Sequence, residues 1–275
     1  MVRIVADSGC NLFEIKDVDF VTVPLTISTA EREFIDDEDL DLSEMLDYLS
    51  SYKGKSSTSC PSAQAWLNAY EGADEIFVVT LTSGLSGTYN SAVLAKNMYL
   101  EEHPEAKVHV IDSLSVGSEE ALIIDRIVEL INAGLSFEEI EEKIEAYKKT
   151  TRLFFSFASI HNLAENGRIN KTVACALGLL NIRITGTASE AGTIEVGAKC
   201  RGENRSIDEM ISQAVKAGYH GGKFYIHHVE NEEGAHRVKK IIEEKYPGAK
   251  IEIRNSRGLM GFYAERHGLV LSMEC

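Results

Sequence analysis

Four segments in the first half of the chain gather small hydroxyl residues just ahead of helix-period sequence. They are Asp7-Ser8-Gly9, Ser57-Thr58-Ser59-Cys60-Pro61-Ser62, Thr82-Ser83-Gly84-Leu85-Ser86-Gly87-Thr88 and Asp112-Ser113-Leu114-Ser115-Val116-Gly117. Serine and threonine are neutral donors, and the free N–H groups of a helix start add oriented donors that attract anions. The set suits a single carboxylate, although any one hydroxyl suits helix capping equally well. In the second segment Pro61 falls at a natural first helical position, with Ser59 as its cap. Other chemistries miss on spacing. A nucleophile elbow needs G-x-S-x-G, and Gly84-Leu85-Ser86-Gly87 brings its second glycine one residue early. A phosphate loop needs a lysine after its last glycine, and none follows Gly87; the dinucleotide pattern G-x-G-x-x-G is absent. A metal site at His227 and His228 would need a converging third ligand, and neighbours on a strand face opposite ways. Ser86 or Ser83, with His161 or His267 as base, would make a serine hydrolase or acyl-transfer enzyme. No local motif places a base beside either serine.

The elements that must position these loops follow a βαβ rhythm, which implies a parallel sheet covered by helices on both faces. Strands are expected at Arg3 to Ala6, Phe20 to Leu25, Ile76 to Leu81 and Val108 to Ile111. Helices are expected at Asp41 to Ser51, Ala63 to Glu71, Thr88 to Glu102, Ser118 to Ala133, and Ser136 to Lys149, the last opening on the capping-box pair Ser136 and Glu139. In such a sheet the carboxyl ends of the strands share one edge, where ligands bind, so the four hydroxyl loops can converge there. The charge-dense stretch Glu31 to Asp47 fits no EF-hand spacing and reads as a solvated loop and helix face.

Near Thr150 the rhythm changes. The aromatic strand Leu153 to Phe157 leads to a helical pair around Asn166-Gly167, then a hairpin of Ile182 to Ala188 with Thr193 to Cys200, turned at Glu190-Ala191-Gly192. Helices Ile207 to Ala217 and Gly234 to Tyr246 flank strands Phe224 to His228 and Ile251 to Ile253. The expected fold is α/β: an N-terminal parallel-sheet domain, residues 1–150, plus a C-terminal α+β domain, residues 151–275. No low-complexity linker separates them, so a ligand crevice or tunnel between the two is expected.

Composition narrows the partners. With 275 residues, 44% hydrophobic, the chain can bury a substantial core. A formal charge of -15 argues against nucleic acid and leaves only transient contact with anionic membranes, because both would be repelled over most of the surface. Five cysteines, Cys10, Cys60, Cys175, Cys200 and Cys275, form no metal-binding spacing and cannot all pair, which points to a reducing cytoplasm. The N-terminus lacks the pattern of a signal peptide, and the most apolar later run, Val173 to Leu180, is too short to span a bilayer.

The chain resembles the DegV family of bacterial two-domain proteins. The resemblance rests on Thr58-Ser59-x-Pro61-Ser62; on Thr82 through Tyr89 with Ser91-Ala92; on Val110-Ile111-Asp112-Ser113; and on Leu163 through Gly167-Arg168-Ile169. It implies a protein that binds a long-chain fatty acid and presents it to a fatty acid kinase, with no chemistry or cofactor of its own. By that resemblance Thr58, Ser59, Ser83 and Ser86 become head-group residues, and Arg168 and Arg201 lie near the acid or its phosphorylated form. Tyr263 occupies the place of a family histidine that helps to hold the carboxylate. The acyl chain is expected against Phe154, Phe155, Phe157, Ile160 and Leu177. Burying about 14 methylenes at about 0.8 kcal/mol each gives roughly 11 kcal/mol, comparable with the cost of association. A binder of a different amphipathic lipid is the remaining alternative.

Overall fold

The architecture comes from a computed structural model that describes residues 2–170 and 181–275. Four parallel strands form the first sheet, in the order β2 (Phe20–Val23), β1 (Val2–Asp7), β6 (Glu75–Thr80) and β7 (Lys107–Asp112). Strands covered on both faces need apolar residues on both sides, and the central stretches Ile4-Val5-Ala6 and Ile76-Phe77-Val78-Val79 supply them. Ile4 and Ala6 join Phe77, Val79 and Ile111 beneath helices α4 (Ser118–Asn132) and α5 (Phe137–Tyr147). Val5, Ile76 and Val78 face the other way, beneath α2 (Ala63–Tyr70) and α3 (Thr88–Glu102), through Trp66, Tyr70, Ala92 and Ala95. The Ser136–Glu139 capping box opens α5 as the sequence predicts.

Two features of this half differ from the sequence expectation. A small antiparallel sheet, β4 (Glu33–Ile35), β3 (Thr26–Ser28) and β5 (Ser57–Ser59), flanks α1 (Leu42–Ser51). Strands of three residues carry too little alternation to announce themselves. Thr58 and Ser59 therefore lie in a strand, and α2 is capped by Ser62, whose side chain accepts from the Ala65 N–H; Pro61 precedes the cap and Ser59 does not serve as one. Nor is Glu31 to Asp47 wholly solvated: Phe34 and Asp36 are buried within it.

The second sheet has six strands, in the order β10 (Ile194–Arg201), β9 (Ile182–Ala188), β8 (Thr151–Phe157), β13 (Leu269–Glu274), β11 (Lys223–His228) and β12 (Lys250–Asn255). Only β11 and β12 run parallel. One face packs through Phe154, Phe224, Ile226 and Leu271 against α7 (Glu203–Lys216) and α8 (Glu232–Lys245), which bring Ile207, Met210 and Val238. The other face turns Leu153, Phe155, Phe157 and Val270 toward the first half of the chain, in one core with Met45, Leu46 and Phe262. The short helices α6 (His161–Glu165) and α9 (Gly258–Ala264) lie in this seam. Helix α9 and strand β13 are absent from the sequence expectation. The seven residues of α9 include two glycines, so propensity conceals the helix.

Candidate functional site

A cavity lined mostly by apolar side chains lies in the seam. Alternation along β8 builds one wall, because period-two geometry sends Leu153, Phe155 and Phe157 into it and Phe154 away. The β9–β10 hairpin supplies Thr187, Ala188 and Gly192 to Ile194, and α9 supplies Leu259, Met260, Tyr263 and Ala264. From the first half come Leu25, Leu81, Leu85 and Val116 with Thr58, Thr82, Ser86 and Ser115. The hairpin tip closes directly on the Thr82–Thr88 loop. A Cβ on Gly84 would stand 2.7 Å from the Ala191 carbonyl oxygen, and one on Gly192, at φ +70°, would stand 1.9 Å from Thr82 Oγ1. Both contacts require the bare glycine backbone.

The polar groups at this wall are few and held in place. Thr58 Oγ1 and the Tyr263 hydroxyl lie 2.8 Å apart, joining β5 to α9 across 205 residues of sequence. Ser86 Oγ accepts from the Thr88 N–H at 3.3 Å. Arg168 donates from Nε to the Leu85 carbonyl at 3.2 Å and from a terminal nitrogen to the Asn166 carbonyl at 2.6 Å, which pins its planar guanidinium at the cavity. Asp112 gathers the loops by accepting from the N–H groups of Ser83 and Leu114, each at 3.1 Å. This arrangement places neutral donors and one cation against an apolar chamber, the combination that orients an amphipathic anion.

Beneath the apolar floor lies a layer of buried acids that sequence reasoning missed. Leu25, Leu81 and Leu259 form that floor, with Val116 and Tyr263 packed against them. Their backbone N–H groups donate to Ser8 Oγ at 3.1 Å, to Asp7 at 2.8 Å and to Asp36 at 2.9 Å. Asp36 also accepts from the Gly258 N–H at 2.7 Å, so one carboxylate caps the start of α9. Glu120 accepts from the Gly117 N–H at 2.8 Å and faces Asp7. Asp7, Asp36 and Glu120 are all fully buried. Burial, before any other cause, pushes Asp7 up to about 7 and Asp36 up to about 6. It also drives Glu120 well above the usual carboxylate range, with Asp7 adding repulsion. Two carboxyls facing each other in a dry site cannot both ionise, so the Asp7–Glu120 pair shares a proton. The available signal was position: Asp7 ends an apolar strand, where its carboxyl can meet the N–H groups of neighbouring loops.

The sequence-derived residues divide accordingly. Thr58, Ser86, Arg168, Tyr263, Phe155 and Phe157 come together at the cavity. Ser59 follows Thr58 on a strand and is exposed, so alternation turns it away. Ser83 is exposed; its backbone N–H, rather than its hydroxyl, is the engaged group. Arg201 is exposed at the end of β10 opposite the hairpin tip, paired with Ile182, and does not line the cavity. Phe154 belongs to the core beneath α7, and Ile160 is buried behind the wall among Phe157, Leu163 and Phe262. Leu177, with the rest of the expected Ala174 to Leu180 helix, lies outside the described residues. Thr82 and Ser115, read in the sequence only as members of the hydroxyl segments, reach the cavity, as do Leu259 and Met260, which no sequence signal marked. Among the described residues no group of three or more His, Cys, Asp or Glu side chains could hold a metal ion. None of their helices is long and apolar enough to cross a membrane.

Comparison with known proteins places this geometry. Residues 1–272 match the family model described as "Uncharacterised protein, DegV family". A DegV domain-containing protein of Streptococcus pneumoniae is 45% identical over 276 aligned residues, covering 99% of this chain and 98% of that one. Among solved structures, a DegV family protein of Eubacterium eligens loaded with heptadecanoic acid is 48% identical with a TM-score of 0.98, covering 100% of this chain and 99% of that one. The Fatty Acid Kinase (Fak) B3 protein of Streptococcus pneumoniae, loaded with linoleic acid, is 44% identical with a TM-score of 0.96, covering 99% of each chain. With the family model spanning nearly all of its length, the chain belongs to the DegV family.

Proposed function

We propose that the protein binds one long-chain fatty acid and presents its carboxylate to a separate fatty acid kinase, performing no chemistry itself. The observation that carries this is the apolar chamber in the seam, closed by the hairpin tip and edged by Thr58, Ser86, Tyr263 and Arg168. In this proposal the hydroxyls and the guanidinium orient the carboxylate, while burial of the acyl chain against Leu153, Phe155, Phe157 and Val270 supplies the affinity. The two structural neighbours described above are each loaded with a fatty acid, and one is named as a fatty acid kinase protein. Catalysis by serine has little support. The hydrogen bonds of the described residues join no histidine to Ser83 or Ser86, and the alternative bases His161 and His267 are exposed. The free cysteines Cys10, Cys60, Cys200 and Cys275 suit a reducing cytoplasm.

Native mass spectrometry of the purified protein, followed by lipid extraction, tests the proposal. A bound fatty acid is expected. Delipidated protein should gain melting temperature with added palmitate or oleate, as any ligand of the folded state alone requires. Ligand-free protein whose melting temperature neither acid moves would refute it. A fluorophosphonate probe that labels Ser86, with labelling lost in Ser86→Ala, would favour the hydrolase instead.

A further inference from the structure

We infer that Gly186 sets the length and bulk of acyl chain that the cavity admits, by leaving room for the Phe155 ring to lie back across strand β9. This deepens the fatty-acid proposal and rests on it. Phe155 and Gly186 sit directly opposite each other on the antiparallel β8–β9 ladder, so their side-chain positions share one face. That face is the cavity wall, as Leu153, Phe155 and Phe157 demonstrate. A Cβ on Gly186 would stand 2.4 Å from Cζ and 2.8 Å from Cε1 of Phe155. The ring tip therefore fills the space that a side chain at 186 would claim. A heavier residue there must drive the ring out of it.

The directions open to that ring are limited. Along β8 it is stacked on Phe157, with centroids 4.4 Å apart and planes 19° apart, so sliding that way displaces a second buried ring. Behind it lies the sheet itself. In front is the chamber that the ring itself lines, and a ring displaced there takes space from the ligand. Because each excluded methylene forfeits about 0.8 kcal/mol, affinity for a chain that no longer fits falls about fourfold per methylene. Chains short enough to end before the ring keep their affinity.

The test is a saturated series from 12 to 20 carbons, measured by displacement of a fluorescent fatty acid from delipidated protein. Gly186→Ala is expected to weaken the longest acid that wild type binds well by about tenfold or more, and to leave the shorter acids within about twofold. Phe155→Ala should move the optimum toward longer chains. The double variant decides the mechanism. Once the ring is gone, adding a methyl at 186 should no longer penalise long chains. A Cβ at 186 would also stand 2.3 Å from the Glu195 carbonyl oxygen, so the single variant perturbs the hairpin backbone as well. A long-chain penalty that persists in the double variant assigns the effect to that backbone and overturns the inference. So does a Gly186→Ala protein that weakens all lengths equally. If Gly186→Ala does not fold, Phe155→Ala decides alone, and an unmoved optimum overturns the inference. Wild type that binds no acid of any length sinks the underlying proposal instead.

Discussion

Replacing Glu120 by glutamine removes the proton shared in the buried acid layer while keeping its shape. One oxygen would still accept from the Gly117 N–H, and the amide nitrogen would take the position of the buried, unpartnered Oε2, supplying a donor beside Asp7. Asp7 would then hold three donors as an anion, counting the N–H groups of Gly9 and Leu81, and its pKa would fall back toward the ordinary range. In the wild type, Asp7 stands at about 7 when folded and about 3.9 when unfolded. An acid with a raised folded pKa contributes stability that is complete below the unfolded value and is lost as pH rises through the folded one. Three units at about 1.4 kcal/mol each give a loss of about 4 kcal/mol between roughly pH 4 and 7. His227 acts oppositely. Burial holds it down at about 3, so its stabilisation is present above about pH 6.5 and is lost on acidification. That contribution cancels when variant and wild type are compared at each pH. Urea unfolding from pH 4 to pH 8 should show Glu120→Gln gaining at least about 4 kcal/mol relative to wild type as pH rises, the Asp7 part alone, since the variant also lacks the raised titration of Glu120 itself. A difference independent of pH would refute the shared proton, whatever its absolute value.

Three further outcomes follow from the site and its walls. Tyr263→Phe removes the hydroxyl beside Thr58 and should weaken fatty acid binding about tenfold or more, the loss of one hydrogen bond to a charged group, as read by fluorescent competition; unchanged affinity would move the carboxylate elsewhere. Gly192→Ala meets both a left-handed backbone and Thr82 Oγ1, so unfolding experiments should show a loss of about 2 kcal/mol or more, whereas a neutral result would mean the hairpin tip is not held on the loop. Phe154→Ala should cost about 3 to 5 kcal/mol by opening the core beneath α7, without changing chain-length preference, because this ring faces away from the cavity.

Much of the framework was legible because period and pattern are physical consequences of which face is buried. Ile4, Val5 and Ala6 read as a strand covered on both sides, and Ser136 with Glu139 marked a helix start. The hydroxyl loops were readable as a group because a parallel sheet brings its strand ends to one edge. Individual residues within them were not. Whether Thr58 or Ser59 faces the chamber depends on β5, which three residues cannot signal. Phe154 and Phe155 are chemically identical neighbours, and only the register of β8 separates core from wall. Asp36 was least visible of all. In a run of carboxylates nothing local marks the one that long-range folding buries under α9.

That last contact bears on how the protein comes into being. Asp36 leaves the ribosome early, but the two N–H groups that satisfy it belong to Gly258 and Leu259, more than 220 residues later. At roughly 5 to 20 residues per second, the first half of the chain spends about 10 to 45 seconds without those two donors. Thr58 waits a comparable time for Tyr263. The floor of the chamber is thus assembled only after residues 258 to 263 have been made, and a nascent chain that lacks them has no such floor. The order of residues alone makes the chamber a late product of folding.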